Sequence, residues 1–500
     1  MRQHKERIFV YILIGFIVIQ PFLDLVWLNN GAIGEVFGFT IPTLIRITIM
    51  AILGIVSFGV FEFNKKHGML ALYLIVIGIY FVMHHINALN FISTVPGNFN
   101  YNMLGEVFYV IRMCFPIAMM YFVYNSNLKR QQFEHSVNGI VLIVSGVVII
   151  TNIFKISIGS YSDQRIAGNI FDWFFNPGAY YHNQLASKGL FYVSIVSMVL
   201  ILLLPYMFYM FIDTKRKRYL GLGIAQVIAL FMFGTKATSY SVVLVLGIMC
   251  ILYLFSSLIK KEYVFDAKIL AVLVIVVVGS LGMLKYSPAT ARVHFDEEYE
   301  EEMDKEEEEE KEELYAEYDF SNRQDIVRFF DNNYKLLSIN ETILAESYPY
   351  KYDPEFWWTF YESTVPSVRM QNRFVQEAVL KRVQKINNNE MDQYLGIGYT
   401  RTSNIYNLEK DFVYQYYSMG IFGAMLFVGP YIILLLVVML SMVVSFKKKM
   451  TLLNLSLVLG CGLTCCLAYY SGNTLENLGV TIVMGAVYGY LLKNNFRKEL

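Results

Sequence analysis

The chain has few residues of the types that build disulfide frameworks and metal centres. Its 500 residues include five cysteines and seven histidines. All five cysteines lie inside long apolar stretches, which argues against a disulfide framework outside a membrane. Cys461, Cys465 and Cys466 follow one another at about one helical turn, but no histidine or carboxylate accompanies them at that depth. We therefore interpret them as small packing residues rather than metal ligands.

Signatures of nucleotide and zinc chemistry are also missing. The sequence contains no phosphate-binding glycine loop, no dinucleotide fingerprint, no paired-histidine zinc helix and no zinc-ligand spacing. The segments assigned below to the cytoplasm are too short to form a nucleotide-binding domain. Cytoplasmic nucleotide chemistry is therefore disfavoured, and no metal, cofactor or nucleic-acid partner is expected.

Apolar residues, in contrast, make up 56% of the chain and charged residues only 16%. A lipid bilayer is therefore expected to be the main solvent. A transmembrane helix needs about 20 apolar residues. Windows of about that length occur at residues 8–28, 41–61, 69–88, 104–124, 137–156, 189–212, 220–234, 238–258, 268–284, 412–442, 452–470 and 477–492. The predicted fold is all-α, a polytopic membrane protein with about 12 transmembrane helices, the first an uncleaved span rather than a signal peptide.

Charge placement predicts the topology. The 41 basic and 41 acidic residues cancel, but 16 of the acids lie between Asp296 and Asp319 with only Lys305 and Lys311 among them. The rest of the chain then has 25 acidic and 39 basic residues. Seven clusters of basic residues at the chain ends and in alternate loops lie on one side if every window crosses, and the positive-inside rule assigns those loops and both termini to the cytoplasm.

This topology divides the chain into three parts. We predict a membrane domain at residues 1–284 with helices 1–9, a helical extracytoplasmic loop domain at 285–411, and a membrane domain at 412–500 with helices 10–12. The acidic run at 296–319 repels itself, so a solvated helix or disorder is its default, with a cation sponge or electrostatic gate as the alternative. Within the loop domain, Ser321 and Asp353 are predicted helix caps, the latter followed by Pro354.

Four charged residues stand out within predicted spans, where a charge costs about 2.5–3.5 kcal/mol on insertion scales. They are Asp24, Arg46, Glu106 and Arg112, all in the outer halves of their spans under this topology. Two interpretations stay open. The four residues form two structural ion pairs, Asp24 with Arg46 and Glu106 with Arg112 or the swapped pairing, or they line an outward cavity for an anionic headgroup.

Three further basic residues lie next to spans on the predicted external side: Arg165, Lys236 and Arg373. A guanidinium binds phosphate oxygens bidentately and an ammonium acts as a point charge, so together they would clamp a lipid diphosphate. Solvated or snorkelling side chains are the alternative.

Two carboxylates, Glu409 and Asp411, stand where the tenth window begins. Either is a candidate general base for a sugar hydroxyl. Favourable placement of acids in the first turn of a helix is the competing explanation. The predicted external histidines, His84, His85, His182 and His294, have no partner that the sequence identifies.

Several segments resemble the bacterial O-antigen ligase and polysaccharide polymerase superfamily. The segment RIAGNIFDWFFNPGAYYHNQLA is similar to the family's Arg, Gly, Asn-Pro, Asn-x-Leu-Ala stretch, and GTKATSYSVVLVL to its Gly-Ser/Thr-Arg segment. LGIGY followed by DFVYQYYSMGIFG resembles the family's Gly-x-Gly and Gly-x-x-Gly helix, and NRFVQEAVLKRV resembles its Arg-led helix. The layout of about twelve spans with a large external loop between helices 9 and 10 covers the whole chain.

The resemblance implies transfer of a glycan from undecaprenyl diphosphate to a sugar hydroxyl, outside the bacterial cytoplasmic membrane, without nucleotide sugar or metal. Arg165, Lys236 and Arg373 would bind the diphosphate, with Arg112 and Arg46 as further candidates. Glu409 or Asp411 would assist deprotonation. The chain departs from the family with lysine at 236, where many ligases have arginine, and with LEKDF where they have a histidine.

The expected partners are a polyprenyl-diphosphate-linked glycan, a glycan, lipid or other acceptor, and membrane lipids, with a flippase and a chain-length regulator as further candidates. Two other functions compete. A lipid-linked oligosaccharide flippase would be expected to show inverted repeats and charges on both sides of the midplane, and neither is found in the sequence. A non-catalytic assembly or sensor protein would use the large loop as a docking surface.

Overall fold

The computed structural model describes residues 2–23, 25, 40–61, 65–92, 95, 99–156, 166, 168–176, 193–315, 317–405, 408–470, 472 and 474–497. Regular structure in these residues is helical, and they contain no β-strand. The predicted all-α class is therefore confirmed for this part of the chain.

Ten helices in the described part are long and apolar enough to cross a membrane. They are Gln3–Leu23, Ile41–Val60, His67–Leu89, Met103–Asn125, Arg130–Ile153, Ile195–Thr214, Lys236–Ile259, Ala267–Tyr286, Asp411–Val444 and Leu452–Tyr470. The remaining two predicted windows coincide with the helices Lys217–Met232 and Leu478–Phe496. The first of these has 16 residues, fewer than the about 20 that a bilayer requires. The count of twelve spans stays a prediction.

The chain packs as two compact units. The first comprises Met1–Leu70, Cys114–Val293 and Tyr431–Leu500, and the second comprises Ala71–Met113 and His294–Pro430. Residues on both sides of the predicted boundary at 285 thus pack together in the first unit, and residues on both sides of the boundary at 411 pack together in the second. The three-part division follows predicted topology rather than packing, and it stays a prediction.

The first unit has the helix Val193–Thr214 at its centre. This helix is apolar on all sides, as expected of a helix surrounded by others, and its span is entirely buried. It packs against the helices Lys217–Met232, Lys236–Leu254, Leu452–Tyr470 and Leu478–Phe496. The packing is close, because a Cβ at Gly460 would overlap the backbone carbonyl of Leu202.

Part of the predicted third external loop also lies in the first unit. Its described portion contains the short helix Ile170–Phe175. Asn169 caps that helix by accepting hydrogen bonds from the backbone N–H groups of Phe171 and Asp172. The Asp172 carboxylate lies 2.9 Å from Lys155 Nζ. These contacts hold the end of this segment in a defined conformation.

The second unit has a core rich in aromatic side chains, built largely from the predicted external loop. The loop contributes the helices Arg323–Asn333, Pro354–Glu362, Pro366–Arg369, Asn372–Asn387, Asp392–Leu395 and Tyr399–Thr402, with a π-helical turn at Thr342–Ser347. Asp353 caps the helix Pro354–Glu362, which confirms the prediction at that position. The other predicted cap was wrong by one residue, since Asn322 rather than Ser321 caps the helix Arg323–Asn333.

The acidic run forms most of the helix Pro288–Tyr315. One face of it is anchored. The Asp304 carboxylate accepts hydrogen bonds from the backbone N–H and the hydroxyl of Ser367, both at 2.8 Å. Glu307 pairs with Arg369, whose side chain is completely buried. The sequence predicted either a solvated helix or disorder for the acidic run. The structure has a helix there, and these contacts hold one face of it.

Candidate functional site

The predicted site residues are distributed over both units. Arg112, Arg373, Glu409 and Asp411 belong to the second unit, and Arg46 and Lys236 belong to the first. Arg165 lies outside the described residues.

Arg373 and Glu409 form an ion pair on the surface of the second unit. The Arg373 guanidinium donates to Glu409 Oε2 through Nη2 and through Nε, the latter at 3.1 Å. The side chains are 39% and 50% exposed respectively. A guanidinium that would bind phosphate and a carboxylate that would accept a proton are therefore in contact and accessible from solvent.

A second ion pair runs beside the first with its signs reversed. Glu377 lies one turn after Arg373 on the helix Asn372–Asn387, and its carboxylate accepts a hydrogen bond from Lys410 Nζ at 2.8 Å. The two pairs together connect this helix to the residues just before the helix Asp411–Phe427. Only the first pair involves Glu409 itself.

The other candidate base, Asp411, is completely buried at the start of its helix. A substrate hydroxyl reaches a buried carboxylate only if the surrounding side chains move. One turn along the same helix, Gln415 donates a hydrogen bond to the Tyr109 hydroxyl. Of the two predicted bases, Glu409 is therefore the accessible one, and Asp411 belongs to the packed interior.

Glu106 is also completely buried, and its partners were not expected from the sequence. Its Oε1 accepts hydrogen bonds from the backbone N–H and the hydroxyl of Thr400, both at 2.7 Å. Its Oε2 accepts from the backbone N–H of Tyr399 at 3.0 Å and lies 3.3 Å from His84 Nε2. The ion-pair partner of Glu106 is thus His84 rather than Arg112. An intramembrane carboxylate near a histidine in a neighbouring span was the only sequence signal for this pair.

The LGIGY segment is packed tightly against the helix that follows Glu409. Gly396 and Gly420 both have positive φ, +78° and +68°. A Cβ at Gly396 would overlap the backbone of Ser418, and one at Gly420 would overlap the backbone of Leu395. The backbone N–H groups of Ile397 and Gly398 donate to the carbonyls of Tyr417 and Ser418 at 2.9 and 3.0 Å. Glycine is required here for conformation and for space.

A buried arginine fixes the same segment from the other side. The Arg401 guanidinium donates to the carbonyls of Phe99 and Ala88 at 2.8 Å and of Ile397 at 2.9 Å. Its Cζ lies 4.3 Å from the centre of the Phe91 ring. Burial lowers the pKa of Arg401. This arginine has the contacts of a structural residue.

The remaining candidates have different surroundings. Arg112 stands 6.0 Å from the centre of the Tyr109 ring in a cation–π arrangement, and Tyr109 stacks on Tyr399 at 3.8 Å. Arg46 is buried and donates from Nε to Gln20 Oε1 at 2.8 Å. Lys236 is exposed at the first position of its helix. The proposed pairing of Asp24 with Arg46 lies outside the described residues.

No group of three or more His, Cys, Asp or Glu side chains in the described ranges is arranged to hold a metal ion.

Comparison with known proteins gives one match. A family model described as "O-antigen ligase like membrane protein" matches residues 6–498, nearly the whole chain. Searches of the curated proteins and of the solved structures find no match. A match of this length, together with the helical membrane architecture, assigns the chain to a family and to a role in polysaccharide assembly. The chain belongs to the O-antigen ligase-like membrane proteins.

Proposed function

We propose that this protein is a membrane glycosyltransferase that polymerises or ligates undecaprenyl-diphosphate-linked glycans on the outer face of the bacterial cytoplasmic membrane. The family membership supports a role in polysaccharide assembly. The contact between Arg373 and Glu409 carries the chemical part of the proposal, because it combines a phosphate-binding group and a carboxylate base at one exposed position.

In the reaction, the acceptor hydroxyl oxygen attacks the anomeric carbon of the donor glycan. The bond between that carbon and the diphosphate oxygen breaks, and its electron pair leaves with undecaprenyl diphosphate. The proton of the acceptor hydroxyl goes to Glu409. Arg373 stabilises the negative charge on the departing diphosphate through charge-assisted hydrogen bonds.

Donor binding would activate the base by an exchange of partners. Before the donor binds, the Arg373 guanidinium neutralises Glu409. An exposed ion pair is worth only about 0–1 kcal/mol, so a diphosphate with more negative charge than one carboxylate can displace Glu409 from it. Glu409 is then free to accept a proton when the leaving group is in place.

Arg165 and Lys236 are proposed as further diphosphate contacts on the family resemblance, with Arg112 and Arg46 as candidates for the lipid headgroup. Flippase and chain-length-regulator partners are proposed on the same basis.

The experiment uses purified protein in nanodiscs with a labelled undecaprenyl-diphosphate oligosaccharide. Arg373→Gln is expected to raise KM for the donor about tenfold or more and to lower kcat, because it removes contacts to a diphosphate that gains charge during the reaction. Glu377→Gln breaks the neighbouring ion pair and serves as the matched control, with kinetics within about twofold of wild type. Movement of the lipid between leaflets without product would contradict the enzyme and support the flippase.

A further inference from the structure

The buried pair of Glu106 and His84 has a defined set of hydrogen-bond partners. Three donors converge on the Glu106 carboxyl group, namely the backbone N–H groups of Tyr399 and Thr400 and the Thr400 hydroxyl. The hydroxyl is oriented, because its oxygen accepts the backbone N–H of Asn102 at 3.2 Å and so directs its hydrogen to Glu106. The fourth contact is with His84, whose Nε2 lies 3.3 Å from Glu106 Oε2.

Both ring nitrogens of His84 face acceptors. Nδ1 lies 2.6 Å from the carbonyl of Leu395, and Nε2 lies 3.3 Å from Glu106 Oε2. The Leu395 carbonyl can only accept, so Nδ1 carries a hydrogen, and Nε2 faces the carboxyl group of Glu106. Both side chains are completely buried.

This pair holds the LGIGY segment at two points. His84 binds the carbonyl of Leu395, which precedes the first glycine, and Glu106 binds the backbone of Tyr399 and Thr400, which follow the second. Gly398 lies between them, and a Cβ there would stand 3.1 Å from Glu106 Oε1. The segment can approach the carboxylate because residue 398 has no side chain.

The same segment is bonded to the helix that begins just after Glu409. Its contacts there are the backbone hydrogen bonds of Ile397 and Gly398 to Tyr417 and Ser418, and a 2.8 Å bond between the hydroxyls of Thr402 and Ser418. Displacement of residues 395–402 would therefore displace the helix Asp411–Phe427 and, with it, Glu409. Arg373 belongs to a different helix, Asn372–Asn387.

We infer that Glu106 and His84 are positioning residues, which hold Glu409 in place at the site by fixing the LGIGY segment to the spans that bear the pair. The inference rests on the proposed function, since it assigns Glu409 the role of base. A base displaced by about 1 Å costs as much as 10²-fold in rate, while donor binding through Arg373 is unaffected. The expected signature is a fall in kcat with an unchanged KM for the donor.

Three variants test this in full-length protein in nanodiscs. Glu106→Gln leaves an amide group facing N–H donors, and we expect kcat to fall about 10- to 100-fold. Glu106→Asp keeps the carboxyl group and is expected to recover part of that loss. Thr400→Val removes one donor with little change in shape and is expected to lower kcat by a smaller factor. If Glu106→Gln does not fold, the kcat of Thr400→Val tests the positioning role instead.

Ser403→Ala is the matched control, because the Ser403 hydroxyl on the same turn donates only to the carbonyl of Thr400. Folded Glu106→Gln or Thr400→Val protein with the kcat of Ser403→Ala would overturn the inference while leaving the proposed function intact. If wild-type protein shows no turnover, the proposed function fails, and hydrogen exchange then decides the positioning role. Faster exchange in Thr400→Val that extends to residues 408–418 supports positioning, and exchange confined to residues 399–402 contradicts it.

Discussion

At the scale of single residues, solvent exposure distinguishes the two carboxylates that are candidates for the general base. Glu409 is exposed and paired with Arg373, whereas Asp411, two residues later, is completely buried. The sequence nominated both as bases because it shows their order in the chain and not their environment. Only the fold separates them.

Replacing each acid by its amide is therefore expected to have different effects. Glu409→Gln should lower kcat by about 100-fold or more, since a general base contributes about 10²–10⁴ to the rate, without loss of folded protein. Asp411→Asn should act mainly on stability. Steady-state kinetics and thermal unfolding of the two variants check this, and equal kcat losses at equal stability would contradict it.

Asp392 provides a test by pH. It accepts hydrogen bonds from the side-chain amides of Asn87, Asn387 and Asn389, yet burial raises the pKa of its carboxyl above the ordinary value. The folded protein therefore binds this proton at a higher pH than the unfolded chain. The contribution of protonated Asp392 to the free energy of unfolding is fully present below about pH 3.9, the pKa of an aspartate in the unfolded chain. This contribution is lost as the pH rises through the raised pKa of the folded state.

Asp392→Asn is accordingly expected to reduce the decline in unfolding temperature between pH 4 and pH 7. Differential scanning fluorimetry of both proteins in nanodiscs measures the unfolding temperature at each pH. The same pH slope in wild type and variant would show that this carboxyl does not titrate differently on folding.

At the scale of elements, bilayer thickness made most helices predictable. Windows of about 20 apolar residues located helices from Ile41–Val60 to Leu452–Tyr470, because the length that spans a bilayer is fixed. The break at Gly420 was not predictable, since its positive φ is required by the crossing of residues 394–396, far away in sequence. The pairing of His84 with Glu106 was missed for the same reason, because it joins different helices.

The close approach of Gly420 to the backbone of residues 394–396 gives a prediction at the scale of elements. Gly420→Ala should destabilise the protein by about 1–3 kcal/mol, because a Cβ at that positive φ would overlap the backbone at Tyr394 and Leu395. Gly78→Ala is the control, since a Cβ there meets nothing within 4 Å. Chemical denaturation of both variants measures the difference. A loss in Gly78→Ala as large as that in Gly420→Ala would contradict the account.

At the scale of the whole molecule, the topology stays a prediction from charge placement. Glu390 and Lys261 are both exposed. Glu390 is predicted to lie on the extracytoplasmic side of the membrane and Lys261 on the cytoplasmic side. In a background without the native cysteines, Glu390→Cys should react with an impermeant maleimide in intact cells. Lys261→Cys should react only after permeabilisation. The reverse pattern would invert the predicted orientation and place Glu409 in the cytoplasm.

The central claim is that glycosidic bond formation is coupled to release of undecaprenyl diphosphate at a site containing Arg373 and Glu409. The most direct measurement counts both products in one nanodisc reaction, by chain-length analysis of the labelled glycan and by quantification of free lipid diphosphate. The account predicts one lipid diphosphate released for each bond formed, with both lost in Glu409→Gln and retained in Glu377→Gln. Lipid diphosphate release without new bonds, or bond formation unaffected by Glu409→Gln, would contradict it.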